Sequence, residues 1–242
     1  MTMLHVTRAR KSFGGLVAVN DVSFDVAGGE ILGLLGPNGS GKTTLLNLIS
    51  GALAPTAGRF VLNGQDMTGQ RADIIARQGI ARTFQLVRIL PSLTLLENVM
   101  VPAAFGPARL WGEAVVSVAR EALEQVGLSD RLSATAGDLT YLDQKRLELA
   151  RALAARPRLL LLDEWLAGLN PTELRDGIAL IQSLSTTGIT IIMVEHIMEA
   201  VRALCPRCLV MNSGTLIADG PTQAVLSDRH VIAAYLGEVE HA

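Results

Sequence analysis

The stretch Gly36-Pro37-Asn38-Gly39-Ser40-Gly41-Lys42-Thr43 is a complete G-x-x-x-x-G-K-[ST] phosphate loop, and it commits the chain to one kind of local structure. An apolar run, Ile31-Leu32-Gly33-Leu34-Leu35, leads into it, and Thr44-Leu45-Leu46-Asn47-Leu48-Ile49 leaves it with helical spacing. Strand, loop and helix in that order are the context this motif requires. The glycines let the backbone curl so that successive N–H groups point inward at phosphate oxygens, and the positive end of the helix adds to the attraction. Gly36, Pro37, Asn38, Gly39, Ser40, Gly41, Lys42, Thr43 and Thr44 are therefore the candidate cradle for a nucleoside triphosphate. Lys42 should reach the β- and γ-phosphates, and the Thr43 hydroxyl should ligate Mg²⁺.

Further along, four leucines, Leu159 to Leu162, run directly into Asp163-Glu164. The run reads as a fully buried parallel strand, whose carboxyl end aims the two acids at the ligand crevice beside the loop. Asp163 is expected to hold Mg²⁺ directly or through water, and Glu164 to polarise the attacking water in phosphoryl transfer. A second buried strand, Ile189 to Val194, is followed by Glu195-His196, which puts His196 at the same end of the sheet for a hydrogen bond to the γ-phosphate. Gln85 follows the short strand expected at Ile80–Phe84 and is a neutral group able to touch Mg²⁺ or the water.

Composition bounds the rest. At 242 residues, 49% apolar and 18% charged, the chain can bury a large core, as one α/β domain with a small lobe. A formal charge of −2 without a Lys/Arg cluster indicates no nucleic-acid surface. No run of some 18 apolar residues and no secretory leader is seen, so a cytosolic, at most peripheral, location is expected. Cys205 and Cys208 form C-x-x-C, but zinc would need further ligands at sensible spacing. The pair reads as two small residues at a helix-to-strand passage.

Short β-like runs at Leu4–Thr7 and Val22–Val26 precede the loop, and Gly58–Leu62 with Asn63-Gly64 reads as a strand closed by a hairpin turn. From about residue 89 to 155 the character is helical, punctuated by Pro91, Pro102, Pro107 and Gly137. Two short strands flank Asn212-Ser213-Gly214 before a helical tail.

The phosphate loop, Gln85, the segment Leu139 to Arg146, Asp163-Glu164, Leu169-Asn170 and His196 occur in the order and spacing of ABC-type ATPases, and the resemblance spans essentially the whole chain. Phe13-Gly14-Gly15-Leu16-Val17-Ala18-Val19, Ile80 to Gln85, Gly168 to Glu173 and Val194-Glu195-His196 look closest to the ATP-binding subunits of branched-chain amino-acid importers. The resemblance implies an α/β P-loop NTPase (RecA-like) parallel-sheet core over residues 1–88 and 156–242. It adds an N-terminal antiparallel β subdomain and an inserted helical subdomain over about 89–155. It implies ATP and Mg²⁺ as ligands, Phe13 stacking on adenine with Val19 beside it, and Thr140 in the signature segment that closes over a partner's ATP. It further implies a second ATPase subunit, identical or a sister, facing head to tail. Transmembrane permease subunits would dock on the helical lobe, a solute-binding protein would act indirectly, and the chain would sit at the cytoplasmic face of the inner membrane. The rival reading is a regulatory subunit that closes on ATP but hydrolyses weakly.

That rival is motivated by the signature itself. Where the family usually has Leu-Ser-Gly-Gly-Gln or Leu-Ser-Tyr-Gly-Gln, this chain has Leu139-Thr140-Tyr141-Leu142-Asp143. Asp143 fits a cap for its own helix, worth roughly 1 kcal/mol. Against a phosphate about 4–8 Å away, at an effective dielectric near 20, its repulsion is about 2–4 kcal/mol before screening. Weakened closure is the expectation. Trp165-Leu166, in place of the usual Pro-Ala, is expected to repack the passage from Glu164 to Asn170.

Overall fold

A computed structural model describes residues 2–236. Two long strands, β1 (Thr2–Phe13) and β2 (Leu16–Ala27), form a hairpin, and β3 (Ile31–Leu35) feeds the phosphate loop and α1 (Lys42–Ile49). β4 (Ala57–Leu62), β5 (Gln65–Asp66), α2 (Ala72–Arg77) and β6 (Ile80–Arg82) follow. Then come three helices, α3 (Leu95–Phe105), α4 (Glu113–Gln125) and α5 (Tyr141–Ala154). The chain re-enters the sheet as β7 (Leu159–Asp163), α6 (Pro171–Ser185), β8 (Thr190–Val194), α7 (Met198–Leu204) and β9 (Arg207–Asn212). It closes with β10 (Thr215–Pro221), α8 (Thr222–Val225) and α9 (Arg229–Leu236).

The strands make a four-stranded antiparallel sheet, β2-β1-β4-β5, and a six-stranded sheet, β10-β9-β3-β8-β7-β6, parallel except at β10. In the larger sheet Leu160, Leu162, Ile191 and Met193 pack into one apolar cluster with the helical lobe, α6 and α7. Their strand neighbours Leu159, Leu161, Ile192 and Val194 pack on the other face with the antiparallel sheet and α1. Burial on both faces is why these strands read as unbroken apolar runs. The three inserted helices share their cluster with the sheet, so lobe and core are packed as one body rather than parted by a linker.

Three expectations are corrected. The strand at residues 80–84 ends at Arg82, because Thr83 still donates to Leu161 O (3.0 Å) but Phe84 N turns to the Glu148 carboxylate (3.3 Å). β1 and β2 are each 12 residues, far longer than the short runs expected. Bulges at Arg8 and Asp21, both at positive φ (48° and 54°), break the alternation that would have announced them. A short α2 stands where no element was foreseen. The cysteines are as expected: both are free and buried at the α7–β9 passage, and Cys205 is pushed up to about 12 chiefly by burial. Met1 and residues 237–242, the ends of the expected core, lie outside the described residues.

Candidate active site at the carboxyl edge of the parallel sheet

Register brings the parts together. Leu34 of β3 and Asp163 of β7 both pair with Val194 of β8, so three neighbouring strands end flush. From those ends project the phosphate loop, Glu195-His196 and Asp163-Glu164. β6 lies next to β7 and delivers the segment ending in Gln85.

In the loop Gly36, Gly39 and Gly41 sit at φ 139°, 73° and 104°. A Cβ on Gly36 would lie 2.1 Å from Met211 O, and one on Gly41 would lie 2.4 Å from Ala18 O. No other residue fits these two positions. Lys42 Nζ donates to Gly36 O and Pro37 O, each at 2.7 Å, and so lies coiled inside its own loop. The Ser40 hydroxyl is buried with no hydrogen-bond partner. An unsatisfied polar atom, a buried ammonium and a helix N-terminus in one glycine-built curl fit a polyphosphate. The Gly36 N–H donates to the Tyr235 hydroxyl (2.7 Å), so α9 folds back over the loop.

Gln85 and Glu164 meet: Gln85 Nε2 donates to Glu164 Oε2 at 2.8 Å. Glu164 stands at positive φ (50°), directly after β7, and its N–H is held by Val194 O (2.9 Å). Asp163 is met by a residue that sequence reasoning passed over. Arg82 Nη2 bonds Asp163 Oδ2 at 2.7 Å, while its Nη1 bonds Asn47 Oδ1 of α1 at 2.6 Å. Both side chains are about 95% buried, so the pair fixes Asp163 against α1, and removing either partner would cost about 3–5 kcal/mol. His196 is exposed at the end of β8.

Phe13 is exposed (46%) beside the hairpin turn, with Lys11 Nζ 5.1 Å from its ring centre. A face is thus free for stacking. Val19 is fully buried in the core cluster and presents no surface to a ligand. Thr140 caps α5, accepting from Asp143 N (3.3 Å), and among the described residues it shares no hydrogen bond with the phosphate loop of its own chain.

Thr43 is exposed at the start of α1. Among the described residues no three His, Cys, Asp or Glu side chains cluster to hold a metal. The donor set here is one hydroxyl, one carboxylate and one amide, which fits Mg²⁺ held largely through substrate phosphates and water.

Strand ends, phosphate loop and paired Gln85–Glu164 together define a nucleotide-hydrolysing P-loop cassette. The chain belongs to the ABC transporter family, whose sequence model matches residues 19–167, and it is an ATP-binding cassette ATPase. A further model, for branched-chain amino acid ATP-binding cassette transporters, matches residues 215–241. The high-affinity branched-chain amino acid transport ATP-binding protein BraF of Pseudomonas aeruginosa is 39% identical over 250 aligned residues, covering 98% of each chain. The ADP conformation of MJ1267, an ATP-binding cassette of an ABC transporter, superposes with a TM-score of 0.90 at 32% identity, covering 98% of this chain and 99% of that one. The dimeric post-hydrolysis cassette MJ0796 bound to ADP and Pi superposes at 0.81 with 26% identity, covering 91% and 99%.

Proposed function

We propose that this chain is the ATP-hydrolysing subunit of a branched-chain amino-acid importer, peripheral at the cytoplasmic face of the inner membrane. The solute class rests on the full-length likeness to BraF, and hydrolysis rests on one observation, the Gln85–Glu164 hydrogen bond beside the phosphate loop. The N–H groups of residues 36–44 and the Lys42 ammonium bind the β- and γ-phosphates, Lys42 exchanging two carbonyl partners for phosphate oxygens. Phe13 stacks on the adenine. Thr43, Asp163 and Gln85 would hold Mg²⁺, which supplies charge neutralisation on the phosphates. Glu164 orients and polarises the attacking water, Gln85 sets the carboxylate's angle, and His196 donates to the γ-phosphate. Asp163 keeps its direction through Arg82.

The site is half-built in one chain, because Thr140 of the signature segment caps α5 and, among the described residues, shares no hydrogen bond with its own phosphate loop. A second subunit, head to tail, completes it, as the dimeric form of MJ0796 supports. We assign residues 89–155 to the lobe that meets the permease. A groove of about 400 Å³ runs between α2, β6 and that lobe, lined by Ala52, Ala76, Phe84, Pro102 and Ala155. Phe84 and Arg88, on either side of Gln85 in the chain, both donate backbone N–H groups to Glu148, and all three line the groove. A permease segment seated there would press on the Gln85 loop.

Glu164→Gln tests the chemistry: it should bind ATP with wild-type affinity and lose on the order of 100-fold or more in kcat. A wild type without turnover would favour the regulatory reading.

A further inference from the structure

A lysine on a helix is normally solvated, but Lys145, on the second turn of α5, is 2% exposed. Its ammonium donates to Trp165 O (2.7 Å) and Glu164 O (3.4 Å). The contact is reciprocal, since Trp165 Nε1 donates back to Lys145 O at 3.1 Å. Trp165 is itself 1% exposed and wedged against Gly177 of α6. The turn that carries Glu164 is therefore clasped from the lobe side by one residue of the signature helix.

From the sheet side a second buried charge holds the same turn. Glu195 Oε1 accepts from Leu166 N (2.9 Å), and Glu195 directly precedes His196. Burial lowers the Lys145 proton affinity below its ordinary value, and the carboxylates of Glu195, Glu148 and Glu164 offset only part of that. An ammonium and a carboxylate thus bracket four residues, Glu164 to Ala167, whose first member sits at φ 50° and whose ends are closed by Ala167 N donating to Glu164 O (3.1 Å). A backbone held off its ordinary basin needs such over-determination. It also aims Glu164.

We propose that Lys145 is a positioning residue for the catalytic carboxylate, transmitting the placement of the signature helix α5 to the Glu164 turn and, through Glu195, to His196. The proposal rests on Glu164 acting in hydrolysis. Closure of α5 over a partner's ATP then sets the carboxylate of its own subunit, so each subunit hydrolyses in step with the one it caps. Trp165 makes the link stiff: its indole gives α5 a second anchor at the same place.

The test is ATP affinity and steady-state turnover of wild type, Lys145→Met and Lys145→Arg. Lys145→Met keeps the length and loses the donor. It should leave ATP affinity within about twofold, since the phosphate loop is built by other residues, and lower kcat by about tenfold or more. Lys145→Arg, which retains a cation able to reach carbonyls, should recover part of kcat. Should Lys145→Met fail to fold, Glu195→Gln keeps the Leu166 contact and removes the bracketing charge, and the same split is expected. A Lys145→Met protein with wild-type kcat, or one whose affinity falls as far as its kcat, overturns the proposal. A wild type that binds ATP without turnover overturns the hydrolysis reading, and this inference with it.

Discussion

At the scale of single residues, Asp143 shows how a charge is judged by its partners. Taken alone it should repel the phosphate that α5 faces. In the fold its carboxylate is already occupied: Arg131 Nη1 bonds Oδ2 at 2.6 Å, and Arg146 Nη1 lies 3.6 Å from Oδ1. Two guanidiniums at that range offset a repulsion of about 2–4 kcal/mol, so the expected weakening of closure does not follow from Asp143. Arg131 comes from a short 3₁₀ turn 12 residues upstream, which no local pattern ties to the signature. Asp143→Gln alone should therefore change ATP-induced dimerisation less than about twofold, whereas Arg131→Ala, which uncovers the carboxylate, should weaken it several-fold. Analytical ultracentrifugation with the Glu164→Gln background would measure both, and tighter dimers from Asp143→Gln would restore the repulsion argument.

Elements differ in how plainly they were written. β3, β7 and β8 were legible because two apolar faces leave no polar residue to interrupt them. α6 was legible from its start, Asn170-Pro171-Thr172-Glu173, and the fold has the full capping box with Asn170 Oδ1 accepting from Thr172 N and Glu173 N at 3.0 Å. α5 was harder. Its buried face includes Lys145 and Glu148, which composition assigns to solvent, although Lys145, Glu148, Leu149 and Ala152 share one helical stripe. Phase, not residue type, was the signal there.

Those buried charges give the core a pH signature. Burial pushes the carboxyls of Glu148 and Glu195 above their ordinary value of 4.5, against the pull of their N–H donors and of Lys145. The folded chain then binds these protons more tightly than the unfolded one. Their contribution to stability is full below pH 4.5 and is lost as pH rises through the raised values. Glu195→Gln removes one titrating group while keeping the Leu166 contact. Its melting temperature, relative to wild type, should rise as pH goes from about 4.5 to 7.5. A difference that is flat over that range would show that Glu195 does not titrate abnormally.

For the whole molecule, the sequence order of motifs already implied the assembled site, because parallel strands gather distant segments at one edge. What order could not disclose was the wiring behind the motifs. Arg82 joins Asp163 to α1, and Lys145 joins α5 to Glu164. Both are buried cations, and each ties together elements that are separate in sequence. The lobe and the catalytic edge are therefore coupled through a packed core, which is what a subunit driving a permease requires. The direct test is uptake of leucine, isoleucine and valine into proteoliposomes carrying the co-purified permease, with ATP and this subunit enclosed in the lumen and the solute-binding protein supplied outside. Wild type should support ATP-dependent uptake, and Glu164→Gln should bind ATP yet support none. Uptake by Glu164→Gln at the wild-type rate, or none with wild type while ATP is being hydrolysed, would contradict it.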